Sequence, residues 1–337
     1  MTPDKTPLLE VSGLRVSFTT DDGMLTAVNE GDFRIDSGET LGLVGESGCG
    51  KSVTALSILR LLPVPMAHIE KGRILLQGRD VLTLPMAQMR TIRGGRIGMI
   101  FQEPMTALSP LHRIGDQMVE AIQFHQPLSN KEAWSLSTEW LRKVGIPDAE
   151  ERMYAYPFQL SGGMRQRVMI AMAMMPNPAL LIADEPTTAL DVTIQAQIFE
   201  LIRTIRKQDT ALLLITHNMG VVRENCTRTA VMYAGEIVET AATPALFRHP
   251  IHPYTEALMA AIPRLAGPTR KRLPTLPGQV PSAGKLPAGC RFCERCPIAI
   301  TRCTIEHPQM EEAAPGRFVR CWRAAERLPP NLAGGQP

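Results

Sequence analysis

The feature that most limits what this 337-residue chain can be is the string Gly45-Glu46-Ser47-Gly48-Cys49-Gly50-Lys51-Ser52, set directly after the apolar run Thr40-Leu41-Gly42-Leu43-Val44. It matches the pattern G-x-x-x-x-G-K-[ST] in the context that gives the pattern meaning, with a strand before it and a helix predicted over 52–62 after it. Glycines let successive backbone N–H groups turn inward around a phosphate, and a helix start adds partial positive charge. In such a loop Lys51 reaches the β- and γ-phosphates and the Ser52 hydroxyl holds Mg²⁺. A string of this kind arises by chance in roughly one chain in a hundred of this size, so it needs support from the rest of the sequence.

The length suffices for one large domain with an extension, or for two domains. Lys and Arg number 36 against 33 Asp and Glu, and the resulting +3 is too small to point to nucleic acid or an acidic membrane surface. No run approaches the roughly 18 to 20 apolar residues of a membrane span, and the nearest, 168–183, is interrupted by Pro176, Asn177 and Pro178. No apolar signal core follows the first residues. These features predict a cytoplasmic chain.

Residues 8–44 and 72–78 alternate short apolar segments with Gly and Asp turns, which predicts short, antiparallel strands. Phe18, upstream of the loop, is a candidate to stack on an adenine ring, though a single Phe in a strand is more often core packing. A buried strand over 97–101 ends at Gln102, where Pro104 blocks simple continuation. Apolar spacing over 115–145 predicts a helical insertion. Ser161-Gly162-Gly163 then opens a Met- and Ala-rich helix, giving either a second phosphate seat at a helix start or only a turn. The apolar strand 179–184 carries Asp184 and Glu185 at its end, where an open parallel sheet gathers its ligands. Such a pair suits metal support and activation of water, though adjacent acids at a strand end are also common solvated turns. A third apolar strand, 211–216, ends in His217, and 228–239 reads as a strand pair about an Ala-Gly turn.

With these motifs in one order, the chain resembles the ATP-binding cassette ATPases, and Leu160-Ser161-Gly162-Gly163-Met164 is the signature that separates them from other phosphate-loop proteins. The resemblance implies an α/β fold: a phosphate-loop nucleotide-binding domain with an antiparallel β subdomain and a helical subdomain. It makes Gln102 the switch glutamine that touches Mg²⁺ and the membrane partner, and Glu185 the base for the attacking water. Asp184 supports the metal and His217 senses the γ-phosphate. Ala189-Leu190-Asp191 crosses a dimer seam, and Gln166 lies at the nucleotide. Two cassettes of this family face head to tail, so ATP lies between the phosphate loop of one and the signature of the other.

More narrowly, Phe101 to Pro110, His252-Pro-Tyr-Thr-Glu-Ala-Leu258 and the Gly289-Cys-Arg-Phe292 and Arg295-Cys-Pro297 pieces resemble the ATPase subunits of dipeptide and oligopeptide importers. That implies ATP and Mg²⁺ as cofactors and two transmembrane permeases as partners. It also implies a second, paralogous cassette, an extracytoplasmic binding protein, and a peripheral place on the cytoplasmic face of the inner membrane. Other cargoes of this importer group, such as nickel, glutathione or an opine-like compound, stay open because the ATPase does not contact cargo. A soluble nucleic-acid-associated cassette fits less well, since the chain has one cassette and no sustained heptads, and no nucleic-acid partner is expected.

The expected organisation is a nucleotide-binding domain over 1–245 with a helical part about 104–165, a connector over 246–262 and a Pro/Gly/basic linker over 263–289. A small irregular Cys-rich extension over 290–325 and a flexible tail over 326–337 follow. Five of the seven cysteines lie between Cys290 and Cys321, and in a reducing compartment metal ligation is favoured over disulfides. Four thiolates suffice for tetrahedral zinc or an iron–sulfur cluster. The resemblance singles out Cys290, Cys296, Cys303 and Cys321 as the [4Fe–4S] ligands, with Zn²⁺ the alternative and Cys293 a spare. Cys49, inside the phosphate loop, carries the expectation that its alkylation hinders nucleotide binding.

Overall fold

The structure is a computed structural model that describes residues 6–21, 23–102, 107–187, 191–261, 276, 278–281, 284 and 286–328, apart from the Val192 side chain. It falls into two compact units, one of Met1–Ile35, Thr40–Leu82 and Leu214–Pro337, the other of Asp36–Glu39 and Thr83–Leu213.

The first unit opens with β1 (Leu9–Thr20), β2 (Gly23–Ile35), β3 (Thr40–Val44), α1 (Lys51–Ile58), β4 (Ala67–Leu76) and β5 (Arg79–Asp80). As the sequence predicted, β1 pairs antiparallel with β2 and with β4, in a sheet ordered β2-β1-β4-β5. Leu9 and Val11 are buried, then Leu14 and Val16: the inward parity changes because the register shifts between Val11 and Leu14. A one-residue bulge turns every later side chain over, which keeps the apolar positions on the core face. All five residues of β3 are buried, as its unbroken apolar run requires.

In the second unit come α2 (Met86–Ile92), β6 (Ile97–Ile100), α3 (Ile114–Gln123), α4 (Asn130–Lys143), α5 (Ala149–Arg152), α6 (Gly162–Met174), β7 (Leu180–Asp184) and α7 (Val192–Ile205). β6 and β7 run parallel, Ile97 opposite Leu180. The helical insertion is there, and α4 starts with a capping box in which Ser129 and Glu132 satisfy each other's backbone N–H groups.

Strand β8 (Ala211–Thr216) carries the chain from the second unit back into the first, where α8 (Met219–Asn225), β9 (Arg228–Tyr233), β10 (Glu236–Ala242), α9 (Thr243–Arg248) and α10 (Pro253–Ala260) follow. β9 lies parallel to β3 and antiparallel to β10, and the predicted Ala234-Gly235 turn has φ of 46° and 88°, the positive values a tight hairpin needs. The Cys-rich stretch is built of short turns and α11 (Thr301–Ile305). Beyond it β11 (Glu311–Ala314) and β12 (Arg317–Val319) form a hairpin whose β12 pairs antiparallel with β10. The extension thus continues the sheet that also contains the phosphate loop's own strand.

Ion pairs fasten it there. Arg291 meets Glu236 at 3.0 Å, Arg317 meets Glu239 at 3.3 Å and Arg320 meets Glu30 at 3.1 Å. Glu239 is fully buried and also accepts the Ile251 and His252 N–H groups at 3.0 and 2.9 Å. A buried carboxylate costs heavily unless it is hydrogen-bonded and paired, and here it is both.

Candidate nucleotide site

The phosphate loop leaves β3 and enters α1 through Gly50, whose φ of 105° only glycine adopts without strain. A Cβ at Gly50 would lie 2.6 Å from the Ala27 carbonyl oxygen, and one at Gly45 would lie 2.1 Å from that of Met232. Both glycines are therefore fixed by backbone packed against them, and the tip, Ser47 and Gly48, is exposed. Lys51 is 5 % exposed, and its ammonium donates to the carbonyls of Gly45 at 2.8 Å and Glu46 at 2.9 Å, which centres the charge on the loop. Ser52, half-buried, stands in the first turn of α1. The loop's glycines and Lys51 fit a polyphosphate: turned backbone with no room for side chains, and one buried cation. α1 is shorter than the sequence suggested. Arg60 adopts φ 52° and the Leu61 N–H reaches back to Leu56, a left-handed helix end just before Pro63.

Cys49 is fully buried and its thiol is pushed up by that burial, against the opposing pull of Lys51. Alkylation of this thiol in the folded protein is expected to be slow, because the group is buried and its thiolate disfavoured.

Sequence reasoning overlooked the residues that hold Glu46. Its backbone N–H donates to the Tyr254 hydroxyl at 2.9 Å, and its carboxylate takes both terminal nitrogens of Arg295, at 2.9 and 3.0 Å. Tyr254 is fully buried, packed with Tyr233 and Phe292. Its helix is capped by His252, whose Nδ1 accepts the Tyr254 N–H at 3.1 Å. Burial, helped by the Arg327 charge, holds His252 down to about 3, so this ring stays neutral and able to accept. The strings containing Tyr254 and Arg295 mark the family in the sequence, and nothing in them says what the two side chains hold.

Of the other expected residues, His217 is exposed just beyond β8, and Phe18 is half-buried in β1, opposite Leu25 and Ala67. In the second unit, Asp184 is buried at the end of β7 and Glu185 follows with φ 45°, a turn conformation strained for a residue with a side chain. Gln166, buried in α6, donates to the Pro186 carbonyl at 2.5 Å, which brings it to the Asp184-Glu185 turn. Ser161 caps α6 by accepting the Met164 N–H at 3.3 Å, and side-chain atoms at Gly162 or Gly163 would meet nothing within 4 Å. Asp191 caps α7 through the Ile194 N–H at 2.9 Å, while its neighbours Ala189 and Leu190 lie outside the described residues. Gln102 is exposed, and 103–106 after it lie outside the described residues, as do most of 263–289 and all of 329–337.

Cys290, Cys293, Cys296, Cys303 and Cys321 all line one cavity, together with His252, Phe292 and Trp322. Burial pushes the Cys290 thiol up to about 12, with nearby thiols adding to it, and burial also raises Cys293, Cys296 and Cys321. Among the described residues no group of three or more His, Cys, Asp or Glu side chains is arranged to hold a metal ion as it stands. The chemistry of the donor set, five soft sulfurs facing one cavity, nevertheless fits a thiophilic metal. Among the described residues, no helix is long and apolar enough to cross a membrane.

Two family models match the chain in succession: ABC transporter over residues 28–188 and oligopeptide/dipeptide transporter, C-terminal region, over 238–303. A "probable peptide ABC transporter ATP-binding protein" of Sinorhizobium fredii is 52% identical, over 95% of this chain and 96% of that one. The oligopeptide transport ATP-binding proteins OppD of Salmonella typhimurium and AppD of Bacillus subtilis are 46% and 48% identical, over 95% and 94% of this chain and 95% and 96% of theirs. Among solved structures, the dimeric bacterial ABC transporter cassette MJ0796 matches with a TM-score of 0.62 at 25% identity, covering 70% of this chain and 98% of that one. With its phosphate loop, signature, strand-end acids and C-terminal region read together with these relatives, the chain belongs to the ATP-binding subunits of the oligopeptide/dipeptide ABC transporters.

Proposed function

We propose that this ATPase drives the import of dipeptides or oligopeptides, from the cytoplasmic face of the inner membrane, through two permeases supplied by an extracytoplasmic binding protein. A second, paralogous cassette completes each ATP site. The observation that carries the reading is the union in one chain of a phosphate loop with a buried Lys51 and the oligopeptide/dipeptide C-terminal region.

In this reading the loop N–H groups and Lys51 hold the β- and γ-phosphates, and Phe18 stacks on the adenine. Ser52 and Gln102, supported by Asp184, hold Mg²⁺, which when bound offsets phosphate charge. Glu185 accepts a proton from the water that attacks the γ-phosphorus, the bond to the β-phosphate oxygen breaks, and ADP and phosphate leave. His217 contacts the γ-phosphate; Ser161, Gly162 and Gly163 present their helix start to the nucleotide of the partner cassette, with Gln166 and Asp191 beside that seam. ATP joins the two cassettes and hydrolysis separates them, which moves the permeases. Cys290, Cys296, Cys303 and Cys321 hold a [4Fe–4S] cluster, or Zn²⁺ in its place, which when bound staples a segment poor in large apolar side chains. Burial raises the Cys290, Cys296 and Cys321 thiols, so loading releases protons there and is favoured by higher pH.

The test is an anaerobic, mild-detergent pull-down of tagged wild-type and Glu185→Gln chains from their own cells, with partner identification, ATPase assay and iron and zinc analysis. Two permeases and a second cassette, turnover in the wild type, and ATP retained without turnover in Glu185→Gln are expected. Ribosomes or DNA in place of membrane proteins overturn the importer, and normal turnover by Glu185→Gln removes that residue from its role.

A further inference from the structure

Glu46 is the junction of the phosphate loop. Each of its polar groups is engaged: the N–H by Tyr254, the carbonyl by the Lys51 ammonium, and the carboxylate by the two-pronged Arg295 guanidinium. Lys51 is the cation that must meet the phosphates, so whatever fixes the Glu46 carbonyl also fixes Lys51. The loop is thereby steered by a residue 249 positions downstream, in the extension.

The arrangement is built rather than incidental. The Arg295 side chain is 7 % exposed, it lies over the Tyr233 ring at 5.7 Å from the centroid, and it donates to the Tyr233 hydroxyl at 3.4 Å. It ends the short 3₁₀ turn Cys293–Arg295, and the Arg291 guanidinium just before that turn pairs with Glu236 and donates to the Ala234 carbonyl. A planar fork on a carboxylate fixes angle as well as distance, which a lysine cannot do. Charge adds a second effect. A carboxylate at the second position of a phosphate loop repels the polyphosphate the loop has to hold, unless a cation neutralises it and draws it aside.

We propose that Arg295 is a positioning residue of the ATP site, which neutralises Glu46 and holds it so that the loop carbonyls keep Lys51 centred. The Cys-rich extension is then an outer wall of the nucleotide site as well as a seat for a metal. Arg295 touches no nucleotide itself and acts only through Glu46.

The experiment titrates the full-length protein with a fluorescent, non-hydrolysable ATP analogue and Mg²⁺, using wild type, Arg295→Ala, Arg295→Lys, Glu46→Gln and the Arg295→Ala/Glu46→Gln double variant. Thermal melting of each checks folding. Arg295→Ala is expected to weaken binding about tenfold, the scale of one charge-assisted pair. The double variant is expected to bind within about twofold of Glu46→Gln alone, because the harm comes from the unpaired carboxylate. Arg295→Lys, which keeps the charge and loses the fork, falls between wild type and Arg295→Ala. If Arg295→Ala does not fold, Arg295→Lys and the double variant still decide the matter. Wild-type affinity in Arg295→Lys and Arg295→Ala, or a double variant weakened by the product of the two single effects, overturns the proposal. A role confined to holding the fold lowers the melting temperature without that rescue of affinity.

Discussion

Gly50 shows how few residues the loop can accept. Its φ of 105° and the Ala27 oxygen 2.6 Å from any Cβ exclude even alanine. Gly50→Ala is expected to lower stability by about 1–3 kcal/mol and to abolish measurable ATP binding, read by thermal melting with and without MgATP. The upward shift in melting temperature that nucleotide gives the wild type should vanish in the variant. This part of the site was legible because the demand is local: glycine spacing, Lys51 and Ser52 sit within eight positions, and the apolar strand before them is contiguous. Glu46 was not legible. Nothing near it in sequence says that its side chain is pinned, because its partners, Tyr254 and Arg295, lie 208 and 249 residues away. Cys49 fell between these cases: its place in the loop was plain, and its burial was a matter of tertiary packing.

At the scale of elements, the hairpin β11–β12 and the segment before it dock on β10 through charge. His307 sits between Glu236 at 3.3 Å and the Gly289 carbonyl at 3.1 Å, with Arg320 at 3.3 Å on the Glu236 side. Its hydrogen bond to Glu236 raises it above 6.5 against the opposing effects of burial and Arg320. Burial pushes Glu236 up, yet the His307 bond and the Arg291 and His307 charges outweigh that and hold it below 4.5. The signs give a window. The His307 contribution is fully present below its unfolded value of 6.5 and is lost as pH rises through the raised folded value; the Glu236 contribution is present above 4.5 and is lost as pH falls through the lowered one. His307→Gln should therefore reduce the melting temperature clearly at about pH 6 and hardly at about pH 9. An equal loss at both would mean that the ring packs there and its charge is idle. Strand and helix identities in this region followed from pattern where runs were long and apolar, as in β7, β8 and β9. β11 and β12 are short strands without an apolar run, since Glu311 and Glu312 are exposed and the buried residues are Ala314, Arg317 and Val319.

Taken whole, the chain is a cassette whose sheet is finished by its extension, so the two are not separable modules. Cutting after α10 would remove Arg291, Arg317 and Arg320 together with β12, so Glu236 and Glu239 would lose their cations and β10 its neighbouring strand. A chain ending at 261 is expected to lack a cooperative melting transition by circular dichroism, whereas a freely attached metal module would leave the cassette's transition intact. The sequence shows a nucleotide core followed by a linker and a Cys-rich extension; the pairing between β10 and β12 makes them one body in the first unit. There is a consequence for how the protein is made. Arg295 is translated 249 residues after Glu46, which at about 5–20 residues per second is a delay of roughly 12–50 s. Until then a nascent chain carries a nucleotide loop whose Glu46 carboxylate lacks its Arg295 partner, so full ATP affinity is expected only once the extension has been made and docked.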